Sequence, residues 1–292
     1  MLYSVATAFV VIFASFSTAS PALRPDLPSI IEAGSQIAAR NDDSTLSADA
    51  ASDTFNANAV CDDFGQTPAA GYTLTNNVWG RKPGVTLVGS QCVNVDSIKG
   101  NQVAWHAEGD GGVKSFPNLE LNRNPLQLGN ITNMRTTFNW NLYCNPNSNI
   151  GASPQPDIHK KTNEIMVWTG ARGGNGPISY SYTPYNAIRQ NIEVPGVRGR
   201  WDLYKGPNSG TVVHSFVATN GKGTGKKNWV ERKQWTGNLV NFIKYLIQQK
   251  EISPNYYLVQ SQAGTELTYG GQNPGQSRSC KFAVSQFDLE VS

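Results

Sequence analysis

Short runs of alternating apolar and polar residues, cut apart by glycine, proline and asparagine, constrain this chain more than any other feature. Pro83-Gly84, Asn145-Pro146-Asn147, Gly173-Gly174-Asn175-Gly176-Pro177, Gly206-Pro207-Asn208 and Gly270-Gly271 recur between β-rich segments. These residues favour turn conformations, so their recurrence predicts many short strands packed as an all-β sandwich. One stretch departs from the pattern. Over residues 238–249, Leu239, Val240, Ile243, Leu246 and Ile247 repeat at helical spacing. That spacing predicts a single amphipathic helix, opening near Thr236, closing before Pro254 and lying on the convex back of a sheet.

The ends of the chain read differently. Leu2 and the apolar run 5–16 lead to Ser17-Thr18-Ala19, the pattern of a signal peptide over residues 1–19. Residues 20–59 are rich in alanine, serine and aspartate and poor in aromatic residues, which suits a propeptide or flexible leader without a core. Residues 60–292 are enough for one large domain. No second apolar stretch is long enough to span a bilayer. A secreted, extracellular and monomeric protein is therefore expected.

Only 15% of residues are charged and the net charge is +3, which argues against a nucleic-acid binder. Lys222, Lys226, Lys227, Arg232 and Lys233, interleaved with Trp229 and Trp235, read as a solvated loop. Three histidines and no GxSxG motif fit a Ser-His-Asp hydrolase poorly. Cys61, Cys92, Cys144 and Cys280 lack the spacing of a metal site, and in a secreted chain they read as two disulfides with three pairings open.

Two strands carry the chemistry. In Asn163-Glu164-Ile165-Met166-Val167-Trp168, alternation sends Glu164, Met166 and Trp168 to one face and Ile165 and Val167 to the other. In the run through Ala263-Gly264-Thr265-Glu266, Gln260, Gln262 and Glu266 share parity. A third polar row, Asn139, Asn141 and Tyr143, alternates with Phe138, Trp140 and Leu142, and all three rows are expected to line one groove. Cleaving an acetal needs one carboxyl group to protonate the leaving oxygen and a second to attack the oxocarbenium-like centre. Two glutamates suffice for this, without a metal or cofactor.

From about Cys61 onward the chain resembles the fungal family 12 glycoside hydrolases, small endoglucanases and xyloglucan-specific endoglucanases. The landmarks, in family order, begin with Cys61-Asp62, Gly71-Tyr72-Thr73-Leu74-Thr75-Asn76-Asn77-Val78-Trp79-Gly80, Ala104-Trp105-His106-Ala107 and Val113-Lys114-Ser115. They continue with Glu164-Ile165-Met166-Val167-Trp168, Gly176-Pro177-Ile178, Ser215-Phe216-Val217-Ala218 and Gly264-Thr265-Glu266.

The resemblance implies a β-jelly roll of two curved antiparallel sheets with an open cleft, and retention of anomeric configuration. Glu164 matches the nucleophile and Glu266 the acid/base. Trp79 resembles a sugar-stacking tryptophan, and Asn77 and His106 resemble polar cleft residues. Met166 and Trp168, sharing parity with Glu164, are expected to line the cleft. The resemblance also pairs Cys61 with Cys92, leaving Cys144 with Cys280. Asn130-Ile131-Thr132 is an N-glycosylation sequon.

Three departures from the family pattern stand out. Its aspartate beside the nucleophile aligns with Asn141 in Trp140-Asn141-Leu142-Tyr143. A Trp-rich insertion is reduced to Glu108-Gly109-Asp110-Gly111-Gly112, and Leu267 replaces proline after the acid/base. The expected activity is endo-cleavage of a plant cell-wall β-1,4-glucan. Xyloglucan is favoured on Gly173-Gly174-Asn175-Gly176-Pro177-Ile178-Ser179 and the Glu266 motif, and an unbranched or mixed-linkage glucan is the alternative. A wall-binding protein or elicitor with little turnover is the reading from another class.

Overall fold

The computed structural model describes residues 12–15, 58–80, 89–111, 114–144, 149–157, 162–172, 176–180, 186–223, 225–270 and 280–292. The chain divides into two units, 17–54 and the remainder, and all described residues belong to the second. Of the expected signal segment and leader, only residues 12–15, 58 and 59 are among them. Ile12–Ser15 runs antiparallel to the start of Tyr257–Gly270.

Two layers of strands enclose the core. The back layer is a five-stranded antiparallel sheet in the order Gln234–Asn238, Met134–Cys144, Cys280–Val291, Gln102–Gly111, Gly89–Lys99. Alternation sends Val103, Trp105, Ala107, Phe138, Trp140 and Leu142 inward. Along Cys280–Val291 the inward set changes from Phe282 and Val284 to Phe287 and Leu289, a change of parity. A register shift between Val284 and Gln286 absorbs it, and this bulge lets one strand bury apolar side chains along its whole length.

The front layer is built from two sheets. One runs Gln66–Ala69, Tyr72–Thr75, Asn118–Leu121, Tyr257–Gly270, with Asn149–Asp157 antiparallel to the far edge of the last. The other runs Asn163–Trp168, Thr211–Thr219, Arg200–Asn208, Arg189–Glu193. Asn149–Asp157 also lies beside Asn163–Trp168, bringing the two sheets edge to edge. Tyr72, Leu74, Leu119, Ala263, Leu267, Ile165, Val167, Leu203 and Phe216 point back into the core. The Tyr72 hydroxyl joins the layers, accepting from Leu289 N at 2.9 Å and donating to Leu289 O at 3.3 Å.

The helix forms over Val240–Gln248, shorter than its apolar repeat. Asn238 ends a back-layer strand instead, and its Oδ1 accepts from Val240 N at 3.2 Å, serving an otherwise orphaned helix amide. Phe242 packs against Phe216 and Trp201, with ring centroids 4.8 and 5.0 Å away, so the helix covers the core-facing side of the front layer. Lys250 closes it with a left-handed φ of 60°, while Glu251 N donates to Leu246 O.

Both disulfides join neighbouring segments. Cys61 is bonded to Cys92, and Cys144 to Cys280, which are direct partners across the ladder. Asn130 is exposed at the end of a short 3-10 turn, Leu128–Asn130.

Candidate active site

The free face of the front layer collects the side chains that the core rejects. Ile165 and Val167 face the core, so Glu164 takes the other face, 5% exposed. Its strand is parallel to Thr211–Thr219, with Glu164 opposite Val213. Glu266 lies opposite Ser153 on the neighbouring sheet; Ala263 and Leu267 face the core, and Glu266 is partly exposed on the free face with Gln262 and Gly264. Gly264 is required there because a Cβ would stand 2.1 Å from Pro117 O.

Met166 and Trp168 share Glu164's face but are 2% and 0% exposed. With Tyr204, Val213 and Val217 they form a second apolar cluster, flanked by Ile178, Ala187, Trp229 and Val259. Trp168 and Trp229 meet edge to face at 6.1 Å, and Ser215 Oγ donates to Met166 Sδ at 3.3 Å. The expectation that both line an open cleft is corrected, because segments remote in sequence roof them over. Burial in this region pushes the Tyr204 phenol up, and also the Asp202 carboxyl, although Asn191 N donates to Asp202 Oδ1 at 2.8 Å.

The Trp79 loop is held from below. Buried Asn76 donates to Asp62 O at 3.0 Å and Gln91 O at 2.8 Å, and Gln91 returns two bonds of 2.9 Å. Asn77 follows with φ of 46°, a left-handed conformation that asparagine tolerates. Its carbonyl accepts from Trp79 N and Phe116 N. Trp79 is left 44% exposed, and Phe64 on the adjoining loop is 66% exposed.

Two expected site residues lie elsewhere. Trp105 and Ala107 face the core, which turns His106 to the outside of the back layer, where its Nδ1 is 2.6 Å from Asp96 Oδ1. Asn141 is likewise on the back layer, opposite Ala283; Trp140 and Leu142 face inward, and Lys233 Nζ donates to Asn141 Oδ1 at 2.9 Å. Neither side chain shares a face with Glu164. The whole row of Asn139, Asn141 and Tyr143 therefore lies outside the expected groove. Asn149–Asp157 occupies the place beside the Glu164 strand instead.

One polar group escaped the sequence reading. Glu120, between core-facing Leu119 and Leu121, accepts from both Gln260 and Gln262 on the free face. Alternation within Asn118–Leu121 was the available signal.

Comparison with known proteins supplies a framework for these positions. Residues 70–292 match the model of glycosyl hydrolase family 12. The chain is 34% identical over 249 residues to a probable xyloglucan-specific endo-β-1,4-glucanase A of Neosartorya fischeri, covering 81% of this chain and 92% of that protein. It is 32% identical over 248 residues to the xyloglucan-specific endo-β-1,4-glucanase A of Aspergillus aculeatus, covering 79% and 90%. In fold it is similar to endoglucanase 3 of Trichoderma harzianum, from family GH12. That likeness has a TM-score of 0.64 at 24% identity and covers 82% of this chain and all of that one.

Proposed function

The chain belongs to glycosyl hydrolase family 12, and from that premise we propose that it is a secreted enzyme cleaving the β-1,4-glucan main chain of xyloglucan, internally and with retention. It is a glycoside hydrolase. The observation supporting the proposed site is that Glu164 and Glu266 both take the free face of the front layer, on strands that both neighbour Asn149–Asp157.

In this reading Glu164 attacks the anomeric carbon while Glu266 protonates the departing oxygen. A glycosyl-enzyme ester forms, and Glu266 then deprotonates the water that hydrolyses it. The near-complete burial of Glu164 suits a nucleophile that must meet the sugar away from bulk water. Trp79 offers an exposed aromatic face for a pyranose ring, and Asn77 a polar contact beside it. The names of the relatives support xyloglucan over unbranched glucan.

Reducing-end release from xyloglucan, carboxymethylcellulose and barley β-glucan, assayed side by side, tests the proposal. Clear preference for xyloglucan is expected. Faster cleavage of either unbranched substrate would make the enzyme a cellulase or mixed-linkage glucanase. Binding without release from any of them would favour a wall-binding protein.

A further inference from the structure

Four residues from Glu266 along the same strand, roughly 13 Å at the strand rise, three polar side chains meet on the free face. Glu120 Oε2 accepts from Gln260 Nε2 at 2.7 Å and from Gln262 Nε2 at 2.8 Å. A carboxylate takes only donors, so both amides are oriented with their oxygens turned away from it. Gln262 is 7% exposed, and its Oε1 is buried with no hydrogen-bond partner. Glu120 Oε1 accepts neither amide. An acceptor without a donor is costly to bury, and the carboxylate that holds this amide keeps its other oxygen, Glu120 Oε1, for a donor.

The chemistry that satisfies this set is a neutral ligand bearing several hydroxyl donors. A calcium ion would want six to eight oxygens, and one carboxylate already engaged by two amides offers too few. We propose that Glu120, Gln260 and Gln262 form a sugar-hydroxyl subsite, remote from the cleaved bond, that binds a pyranose ring through its vicinal hydroxyls. Gln262 Oε1 and Glu120 Oε1 accept from the ring, while Gln260 holds the carboxylate in place. The proposal rests on the glucan hydrolase reading above. The ring comes either from the main chain or from a branch, and both present the same hydroxyl chemistry.

The test compares KM and kcat of the wild type with Glu120→Gln and Gln262→Ala. Three substrates are needed: an aryl cellobioside, a long unbranched gluco-oligosaccharide and a xyloglucan oligosaccharide of the same main-chain length. Losing a hydrogen bond to a charged group costs about tenfold or more in affinity. The expected result is a rise in KM that is about tenfold larger on a long substrate than on the aryl cellobioside, with kcat falling much less. A rise on both long substrates assigns the subsite to a main-chain ring, and a rise on xyloglucan alone assigns it to a branch. Equal changes on short and long substrates, or none, would overturn the subsite while leaving the hydrolase reading intact. Absence of wild-type turnover on every substrate would instead defeat the hydrolase reading. Gln260→Ala, which leaves Glu120 and Gln262 present but loosens the carboxylate, should give a smaller rise of the same pattern.

Discussion

Glu164 and Glu266 stand on strands of the front layer with Asn149–Asp157 between them, both carboxyl groups on the face turned from the core. Asn149–Asp157 is one ladder spacing, roughly 5 Å, from the Glu266 strand and also neighbours the Glu164 strand, so two glutamate side chains can reach toward each other across it. A crystal structure is expected to show the carboxyl groups roughly 5 to 5.5 Å apart, the separation of a retaining pair. Proton NMR of the first-formed product should show the β-anomer. Initial release of the α-anomer would remove Glu164 from the nucleophile role.

The two glutamates should fail differently. Glu266→Ala is expected to keep turnover of aryl glycosides whose leaving groups need little protonation, and azide should raise it by attacking the glycosyl-enzyme. Glu164→Ala should lose at least about 10⁴-fold on every substrate, because no ester can form. Equal losses on activated and natural substrates, without an azide effect, would reverse or dissolve the assignment.

Trp79 is 44% exposed on a loop pinned by Asn76 and Gln91, so its removal should not disturb the core. Trp79→Ala is expected to raise KM on polysaccharide by about three- to tenfold through lost stacking, with the thermal midpoint nearly unchanged. A large fall in thermal midpoint would mean that the indole packs rather than binds.

Asn141→Asp puts a carboxylate beside Lys233 on the outer face of the back layer, not beside Glu164. The acidic limb of the kcat/KM profile should therefore coincide with that of the wild type. Stability should change by less than about 1 kcal/mol, as for other surface pairs. A displaced acidic limb would show that Asn141 reaches the reacting groups.

Glu251 joins the helix end to the front layer. Contact with buried His214 and the 2.6 Å ion pair with Lys205 hold its carboxyl down at about 2. A carboxyl lowered by folding contributes stability above its ordinary pKa and loses it as pH falls toward the folded value. Glu251→Gln should cost about 2 kcal/mol in urea unfolding at pH 6, and the difference from wild type should shrink toward pH 2. A deficit that does not vary with pH would mean that packing, not charge, is lost.

Local pattern was enough for much of this molecule. Turn residues announced a sandwich, and the apolar repeat around Ile243 announced the helix Val240–Gln248. Parity placed Glu164 opposite Ile165 and Val167, because side-chain direction along a strand is set by the backbone alone. Parity says which residues share a face, but not which sheet the strand joins. Asn141 and His106 obey it and still lie on the other layer, since strand order comes from long-range pairing with Cys280–Val291. The same pairing made Cys144 and Cys280 neighbours, which no spacing within either strand could reveal. Trp168 has the parity of a cleft residue, yet Tyr204 and Trp229, both remote in sequence, bury it together with Ile178. Glu120 meets Gln260 and Gln262 across more than 130 residues of chain for a related reason. Backbone geometry determined each face from the sequence, and only the tertiary burial of apolar surface decided which faces would meet.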